Sequence, residues 1–199
     1  MDKDLLIVFV KNILPGKVKT RLAEEIGEEK AVKVYRQLLQ ITENAIKDAQ
    51  SDVEICFSEF IDSELFEGSY HFSMQSGNDL GERMKNAFHR GFQKKYENIV
   101  LIGSDLPDLH LKHITQAFEE LKKSDLVFGP AEDGGYYLIG MNKMITFPFE
   151  NKQWSTPDLF QKTKLELSQY EYQISELETL NDIDTYKDFK NSPLFRDSL

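Results

Sequence analysis

Lys11, Lys17, Lys19 and Arg21 crowd a short stretch that also holds Pro15 and Gly16, directly after the apolar run of residues 5–10. Cationic side chains and backbone N–H groups in a turn that leads from a strand into a helix form a phosphate cradle, because both present donors to one small volume. Lys11, Pro15, Gly16, Lys19 and Arg21 are therefore the first candidates to hold a phosphorylated ligand. A solvated loop is the plain alternative for a charge run. The place of this one, at the carboxyl end of the first strand, favours the cradle, since ligands of open α/β sheets collect there.

A second chemistry sits in Gly103-Ser104-Asp105-Leu106-Pro107, where an acid follows the most apolar strand pattern, residues 98–103. Mg²⁺ takes carboxylate oxygens, keeps several waters and commonly joins one or two Asp residues to a substrate's phosphates, so Asp105 opposite a phosphate loop begins a metal site. Asp105 also suits a turn before Pro107. The cluster Leu180-Asn181-Asp182-Ile183-Asp184-Thr185 supplies a further carboxylate, with Asp182 the preferred partner of Asp105 and Asp184 suited either to the metal or to a helix N-cap.

Two more segments bear on the site. In Gly129-Pro130-Ala131-Glu132-Asp133-Gly134-Gly135-Tyr136 the paired glycines permit positive φ and close backbone approach. A hairpin turn uses the same residues, so Asp133 and Glu132 matter chemically only if the turn faces the basic loop. In residues 75–83, Gln75, Gly77 and Asp79 could surround a nucleobase while Arg83 reaches a phosphate; alone, the segment is a helix start with an Asp cap. His110 and His113, without a further His or Glu beside them, read as surface residues rather than metal ligands. Trp154 reads first as core packing and second as a wall of an acceptor pocket.

The elements that must position these residues alternate between strand and helix. Strands are expected at residues 5–10, 53–57, 98–103, 125–130 and 136–140, with a short one near 70–75; helices follow the basic loop and occupy residues 28–49, 79–92, 111–124, 157–168 and 184–191. That order predicts a layered α/β domain. At 199 residues the chain fits one domain, and a formal net charge of −10 argues against a nucleic-acid partner. No apolar run reaches the roughly 18 residues of a membrane span, and a cytoplasmic location is expected. The lone Cys56 sits in a strand pattern and reads as a small buried hydrophobe.

Together, Lys11-x₃-Pro15-Gly16-x-Val18-Lys19-Thr20-Arg21-Leu22, Gly103-Ser104-Asp105-x-Pro107-x-Leu109, Gly129-Pro130-Ala131-x-Asp133-Gly134-Gly135-Tyr136 and Leu180-x-Asp182-x-Asp184-Thr185 resemble the bacterial selenodomain-associated transferases. The likeness runs from residue 5 to 189, and the wider group includes molybdenum-cofactor and phospholactate guanylyltransferases. It implies a GT-A, nucleotide-diphospho-sugar transferase fold: a single-domain three-layer α/β/α arrangement on a mostly parallel mixed sheet. It also implies a nucleotide or nucleotide-sugar donor, a small-molecule acceptor and Mg²⁺ or Mn²⁺ on Asp105.

Two reactions fit the resemblance. In nucleotidyl transfer, a metal on Asp105 and Asp182 holds a nucleoside triphosphate, Lys19 and Arg21 stabilise the departing pyrophosphate, and a phosphate or phosphonate acceptor attacks phosphorus. In glycosyl transfer the same groups hold a leaving nucleoside diphosphate, and Asp133 or Glu132 is the base. The density of charge in the first loop and the lack of a paired Asp-x-Asp at Gly103-Ser104-Asp105 favour the nucleotidyl version. A nucleotide sensor without turnover is the reading from another class, and it leaves Asp105, Asp133 and Asp182 with little to do. Acceptor recognition falls to residues 58–73 and 146–157.

Overall fold

The computed structural model describes residues 3–14 and 16–196; Pro15, expected in the phosphate loop, lies outside the described residues. Strand β1 (Asp4–Val10) is buried from Leu5 to Val10. Such an unbroken apolar run is what a parallel strand covered on both faces requires. It pairs in parallel with β2 (Asp52–Phe57) on one side and with β4 (Asn98–Ile102) on the other. The remaining strands, β3 (His71–Met74), β5 (Leu126–Pro130), β6 (Tyr136–Met141) and β7 (Ile174–Glu176), complete a seven-stranded sheet in the order β3-β2-β1-β4-β6-β5-β7. Among these strands β6 alone runs antiparallel to its neighbours.

Seven α-helices lie among the described residues and flank the sheet: α1 (Thr20–Ile26), α2 (Glu28–Ile46), α3 (Leu80–Gln93), α4 (Leu111–Leu121), α5 (Leu159–Leu167), α6 (Tyr186–Asn191) and α7 (Pro193–Arg196). Alternation along β1 sorts its side chains between two cores. Leu6, Val8 and Val10 face Val34, Tyr35 and Leu38 of α2 and Ile114 of α4. Leu5, Ile7 and Phe9 face Met84 and Phe88 of α3 and Phe160 of α5. Each buried aliphatic or aromatic side chain contributes roughly 1.5–3 kcal/mol, so both faces of the sheet are locked by many independent contacts. The result is the expected three-layer α/β/α arrangement with a mostly parallel mixed sheet. No described helix is long and apolar enough to cross a membrane.

Strand order creates the crevice. From β1 the chain moves to β2 and β3 on one side and then returns to β4 on the other. The loops leaving β1 and β4 therefore diverge, and ligands of open sheets bind in that gap. β7 and α7 have no counterpart in the sequence reading. β7 is three residues at the sheet edge and α7 a four-residue turn opened by Pro193, both too short to show a period.

Candidate active site

The loop after β1 is held by side chains that carry no charge. The Lys11 N–H donates to Tyr35 Oη at 2.9 Å, and that hydroxyl lies 3.1 Å from Lys11 O and 3.2 Å from Ser104 Oγ, joining the ends of β1 and β4. Asn12 is buried; its Oδ1 accepts from Glu59 N at 2.8 Å and Phe60 N at 3.2 Å, and its Nδ2 donates to Phe60 O at 2.8 Å. Downstream, Gly16 has φ 68° and Lys19 has φ 48° and ψ 44°. A left-handed backbone costs a side-chain-bearing residue roughly 1–2 kcal/mol. Lys19 adopts it with its side chain turned inward, 4% exposed, and its Nζ 3.0 Å from Asp105 Oδ2.

Arg21, in the first turn of α1, points elsewhere. Its Nη1 lies 2.9 Å from Asp184 Oδ2, and the Arg21 side chain is 67% exposed. Asp184 is thus paired with a guanidinium outside the crevice, while Thr185 and Asp188 form the capping box of α6.

Three other acids meet at the crevice. Asp105 leaves β4 after Gly103, whose N–H donates to Tyr137 O at 3.2 Å. Burial raises its pKa, but Lys19 and then Lys11 more than offset this and hold the carboxyl below its ordinary value. Asp182 lies on a strap, residues 177–184, bonded to the strand ends: Leu177 N donates to Phe128 O (2.8 Å), Leu180 N to Pro130 O (3.1 Å) and Ile183 N to Asp105 O (3.1 Å). Burial, then the negative charges of Asp105 and Asp133, push Asp182 up to about 7. Asp133 tops the β5–β6 turn and accepts from Gly135 N at 2.8 Å. That turn depends on Gly134, at φ 89°, where a Cβ would overlap the Pro157 carbonyl.

Asp105, Asp133 and Asp182 line one cavity of about 200 Å³ with Phe9, Met84, Leu101, Tyr136, Ile139, Trp154, Ser155 and Thr156. Among the described residues no three acids, histidines or cysteines form a finished metal cage. The donor set nevertheless fits Mg²⁺, which needs one or two carboxylates and takes its other ligands from water and phosphate. Burial first, and then the charges of Asp105 and Asp133, raise Asp182 against the opposing effect of Lys19.

Residues 75–83 are placed differently from the nucleobase reading. Gln75 Nε2 donates to Val10 O (3.2 Å) and Cys56 O (2.9 Å), so both amide protons tie β1 to β2. Arg83 bonds Gly77 O at 3.2 Å and Gln75 Oε1 at 3.4 Å. Gly77, at φ 145°, packs on the Arg83 backbone, and Asp79 caps α3 by accepting from Glu82 N at 2.8 Å. Of residues 75–83 only Leu80 lines the cavity, joined by Met84 one turn further along α3. Of the two stretches expected to recognise the acceptor, 146–157 lines it and 58–73 does not.

One reading is corrected. His113 is buried rather than on the surface: its Nδ1 accepts from His110 N at 3.0 Å and its Nε2 lies 2.6 Å from Glu178 Oε1, anchoring the strap that carries Asp182. Trp154 fills both of its expected roles: it packs against the core that holds Met84, Phe88 and Phe160, and it walls the cavity, edge-on to Tyr136 at 6.4 Å. Tyr35, Asn12 and Tyr136 carry no chemical signal in the sequence, since each sits in an apolar or loop pattern with no chemical spacing of its own.

With this geometry in place, residues 41–156 match the model of DUF2064, described as an uncharacterized protein conserved in bacteria. The chain belongs to that family. A solved structure of a proposed nucleotide-diphospho-sugar transferase from Desulfovibrio desulfuricans G20 is 32% identical to this DUF2064 chain, with a TM-score of 0.88 over 100% of this chain and 96% of that one. The 4-diphosphocytidyl-2C-methyl-D-erythritol synthase of Anaerococcus prevotii DSM 20548 superimposes with a TM-score of 0.63 at 11% identity, covering 98% of this chain and 96% of that one. CMP:2-keto-3-deoxy-manno-octonic acid synthetase complexed with CTP does so with a TM-score of 0.53 at 14% identity over 100% of both chains. These last two show the fold alone. No curated protein matches the chain. The DUF2064 chain is accordingly a transferase with the nucleotide-diphospho-sugar transferase fold, in agreement with the resemblance carried by its motifs.

Proposed function

We propose that this DUF2064 protein is a Mg²⁺- or Mn²⁺-dependent nucleotidyltransferase that joins the nucleotidyl group of a nucleoside triphosphate to a small acceptor. The observation that carries the reading is the meeting of Lys19, from the loop after β1, with Asp105, after β4, beside Asp182 and Asp133. A cation and clustered carboxylates at the switch point supply the two charge types that phosphoryl chemistry uses. Asp105 and Asp182 would hold the metal. When bound, it would neutralise their charge and polarise the donor's phosphate.

The chain's own residues supply the rest. Lys19, with Lys11 and Gly16 in the same loop, receives the pyrophosphate end of the donor. Arg21 is held only by an exposed pair with Asp184, worth about 0.2–1 kcal/mol, and is readily recruited to the same charge. The acceptor oxygen bonds to the α-phosphorus as the bond between that phosphorus and the bridging oxygen breaks. The electron pair leaves on pyrophosphate, and the acceptor's proton passes to Asp133, which is exposed at the cavity rim. Nucleoside triphosphates are abundant in the cytoplasm, and the same proposal places the protein there.

Glycosyl transfer is the second reading, favoured by the description of the 32% identical Desulfovibrio protein. Pyrophosphate release and thermal shift with nucleoside triphosphates and nucleotide sugars, each with Mg²⁺ or Mn²⁺, separate the two. Metal-dependent stabilisation by a triphosphate with pyrophosphate release, both lost in Asp105→Asn, is expected. Stabilisation by nucleotide sugars alone moves the assignment to glycosyl transfer, and metal-independent binding without turnover to a sensor.

A further inference from the structure

Tyr35 does not line the cavity, yet its hydroxyl touches both loops that build the site. The ladder between β1 and β4 ends at Val8 and Ile102, short of Val10, where β1 closes. Past that point the chain enters the two loops that carry Lys11 and Lys19 on one side and Asp105 on the other, and backbone pairing no longer fixes one loop against the other. Among the described residues the hydrogen-bonded links across this gap are the Lys19–Asp105 pair and the Tyr35 hydroxyl.

That hydroxyl is fully used. A phenol offers one proton and two acceptor lone pairs. The Lys11 N–H fills one lone pair at 2.9 Å, and the phenol's own proton goes to Lys11 O at 3.1 Å. Ser104 is buried, and its hydroxyl, 3.2 Å away, has no other hydrogen-bond partner among the described residues, so it donates into the second lone pair. Burial pushes the phenol well above its ordinary pKa, and it keeps its proton at neutral pH. The ring belongs to α2 and packs with Val8, Val10 and Leu38, so the hydroxyl is delivered from a rigid element. Lys19 Nζ stands over the same ring, 6.0 Å from its centre, at the outer range of a cation–π contact.

These contacts tie Lys11, which opens the cationic loop, to Ser104, the residue before Asp105. Misplacing reacting groups by about 1 Å can cost a hundredfold in rate, so a fixed spacing between cations and metal acid has functional value. We propose that Tyr35 is a positioning residue: its hydroxyl couples the phosphate loop after β1 to the metal-binding loop after β4, so that phosphate and metal bind cooperatively. What the two loops hold rests on the transferase reading above; that one hydroxyl joins them does not.

The test is the affinity for inorganic pyrophosphate, measured by titration calorimetry in EDTA and in saturating Mg²⁺, and the ratio of the two. Pairing of Mg²⁺ with pyrophosphate in solution is the same for every variant, so a change in the ratio is a change in coupling within the protein. Wild type is expected to bind pyrophosphate more tightly with Mg²⁺. Tyr35→Phe, which keeps the ring, and Ser104→Ala, which removes the partner hydroxyl, are each expected to lower the ratio about fivefold, the effect of one lost hydrogen bond, with little change in metal-free affinity. The double variant is expected to lose little more than either single one, because both break the same link. Gly27→Ala strains the backbone between α1 and α2, where a Cβ meets nothing within 4 Å, and serves as the control for destabilisation alone; its ratio is expected to stay at the wild-type value. A wild-type ratio in Tyr35→Phe or in Ser104→Ala, or an equal fall in Gly27→Ala, overturns the inference. Wild type that binds pyrophosphate no better with Mg²⁺ overturns the transferase reading and the inference with it, so the two failures are distinguishable.

Discussion

Lys19 Nζ lies 3.0 Å from Asp105 Oδ2, across 86 residues of sequence, and closes the crevice between the ends of β1 and β4. Neither residue is placed by local preference. Lys19 takes a left-handed backbone that its side chain disfavours, and Asp105 is brought under it by the parallel register of β1 on β4. The ion pair sets the charge of the site before any ligand arrives: Lys19 keeps Asp105 ionised against its burial, and burial together with the ionised Asp105 keeps Asp182 protonated to higher pH.

Replacing Lys19 with Met removes a buried cation aimed at developing negative charge. Turnover should fall roughly a hundredfold, the scale of about 3 kcal/mol for one preorganised donor. Asp105 then loses its partner beside Asp182 and Asp133, so Tm without metal should also fall, and Mg²⁺ should restore more of it than in wild type. Thermal shift with and without Mg²⁺ checks this. A Lys19→Met protein with wild-type turnover would remove Lys19 from the chemistry.

Asp182 carries a pH signature. Its folded pKa is raised to about 7 from an ordinary 3.8, so the folded state binds the proton more tightly than the unfolded chain. The associated stability is fully present below pH 3.8, declines as pH rises, and is gone once pH passes about 7. Asp182→Asn should therefore gain on wild type in the metal-free state as pH climbs from 5 to 8, measured by Tm. A metal must displace the same proton, so wild-type Mg²⁺ affinity should rise about tenfold per pH unit below 7 and level off above it. Titration calorimetry that finds no proton release at pH 6 would count against Asp182 as a ligand.

Much of the architecture was legible because its signals are long. The unbroken apolar run of β1, the helical spacing of Tyr35, Leu38, Leu39 and Ile46 in α2, and an acid after β4 each report burial or turning over several residues. The site's charges were legible for a different reason: Lys19, Asp105 and Asp133 lie in the loops that follow β1, β4 and β5, where ligands of open sheets collect, while Asp182 arrives on the strap of residues 177–184. What escaped was pairing across the fold. Nothing near Arg21 names Asp184 as its partner, nothing in the pattern of α4 buries His113 against Glu178, and Gln75 spends its amide on the carbonyls of Val10 and Cys56, which only the sheet brings together.

Arg21 offers a test that separates stability from catalysis. Its pair with Asp184 is largely exposed, so Arg21→Ala should change stability by no more than about 1 kcal/mol. If Arg21 turns to the leaving pyrophosphate, kcat should drop about tenfold or more with little change in acceptor KM. Asp184→Asn frees the guanidinium and should leave kcat intact. Equal losses in both variants would mean that the pair acts by holding α1 against the strap.

Gly134 and Gly27 both have positive φ, at 89° and 84°, yet they should behave differently when replaced. A Cβ at Gly27 meets nothing within 4 Å, so Gly27→Ala carries only the backbone penalty of about 1–3 kcal/mol. It sits between α1 and α2, away from the cavity, and activity should survive at temperatures where the protein stays folded. A Cβ at Gly134 overlaps the Pro157 carbonyl, and Gly134 O also accepts from Phe160 N at 2.9 Å, so the turn cannot move without shifting the start of α5. Gly134→Ala should lower Tm by roughly 5–10 °C, from backbone strain plus overpacking. It should also lower kcat well below the fully folded temperature limit, because Asp133 and Thr156 lie on the two segments forced apart. Parallel melting curves and rates for the two variants would decide whether the turn positions Asp133 or merely closes the chain between β5 and β6.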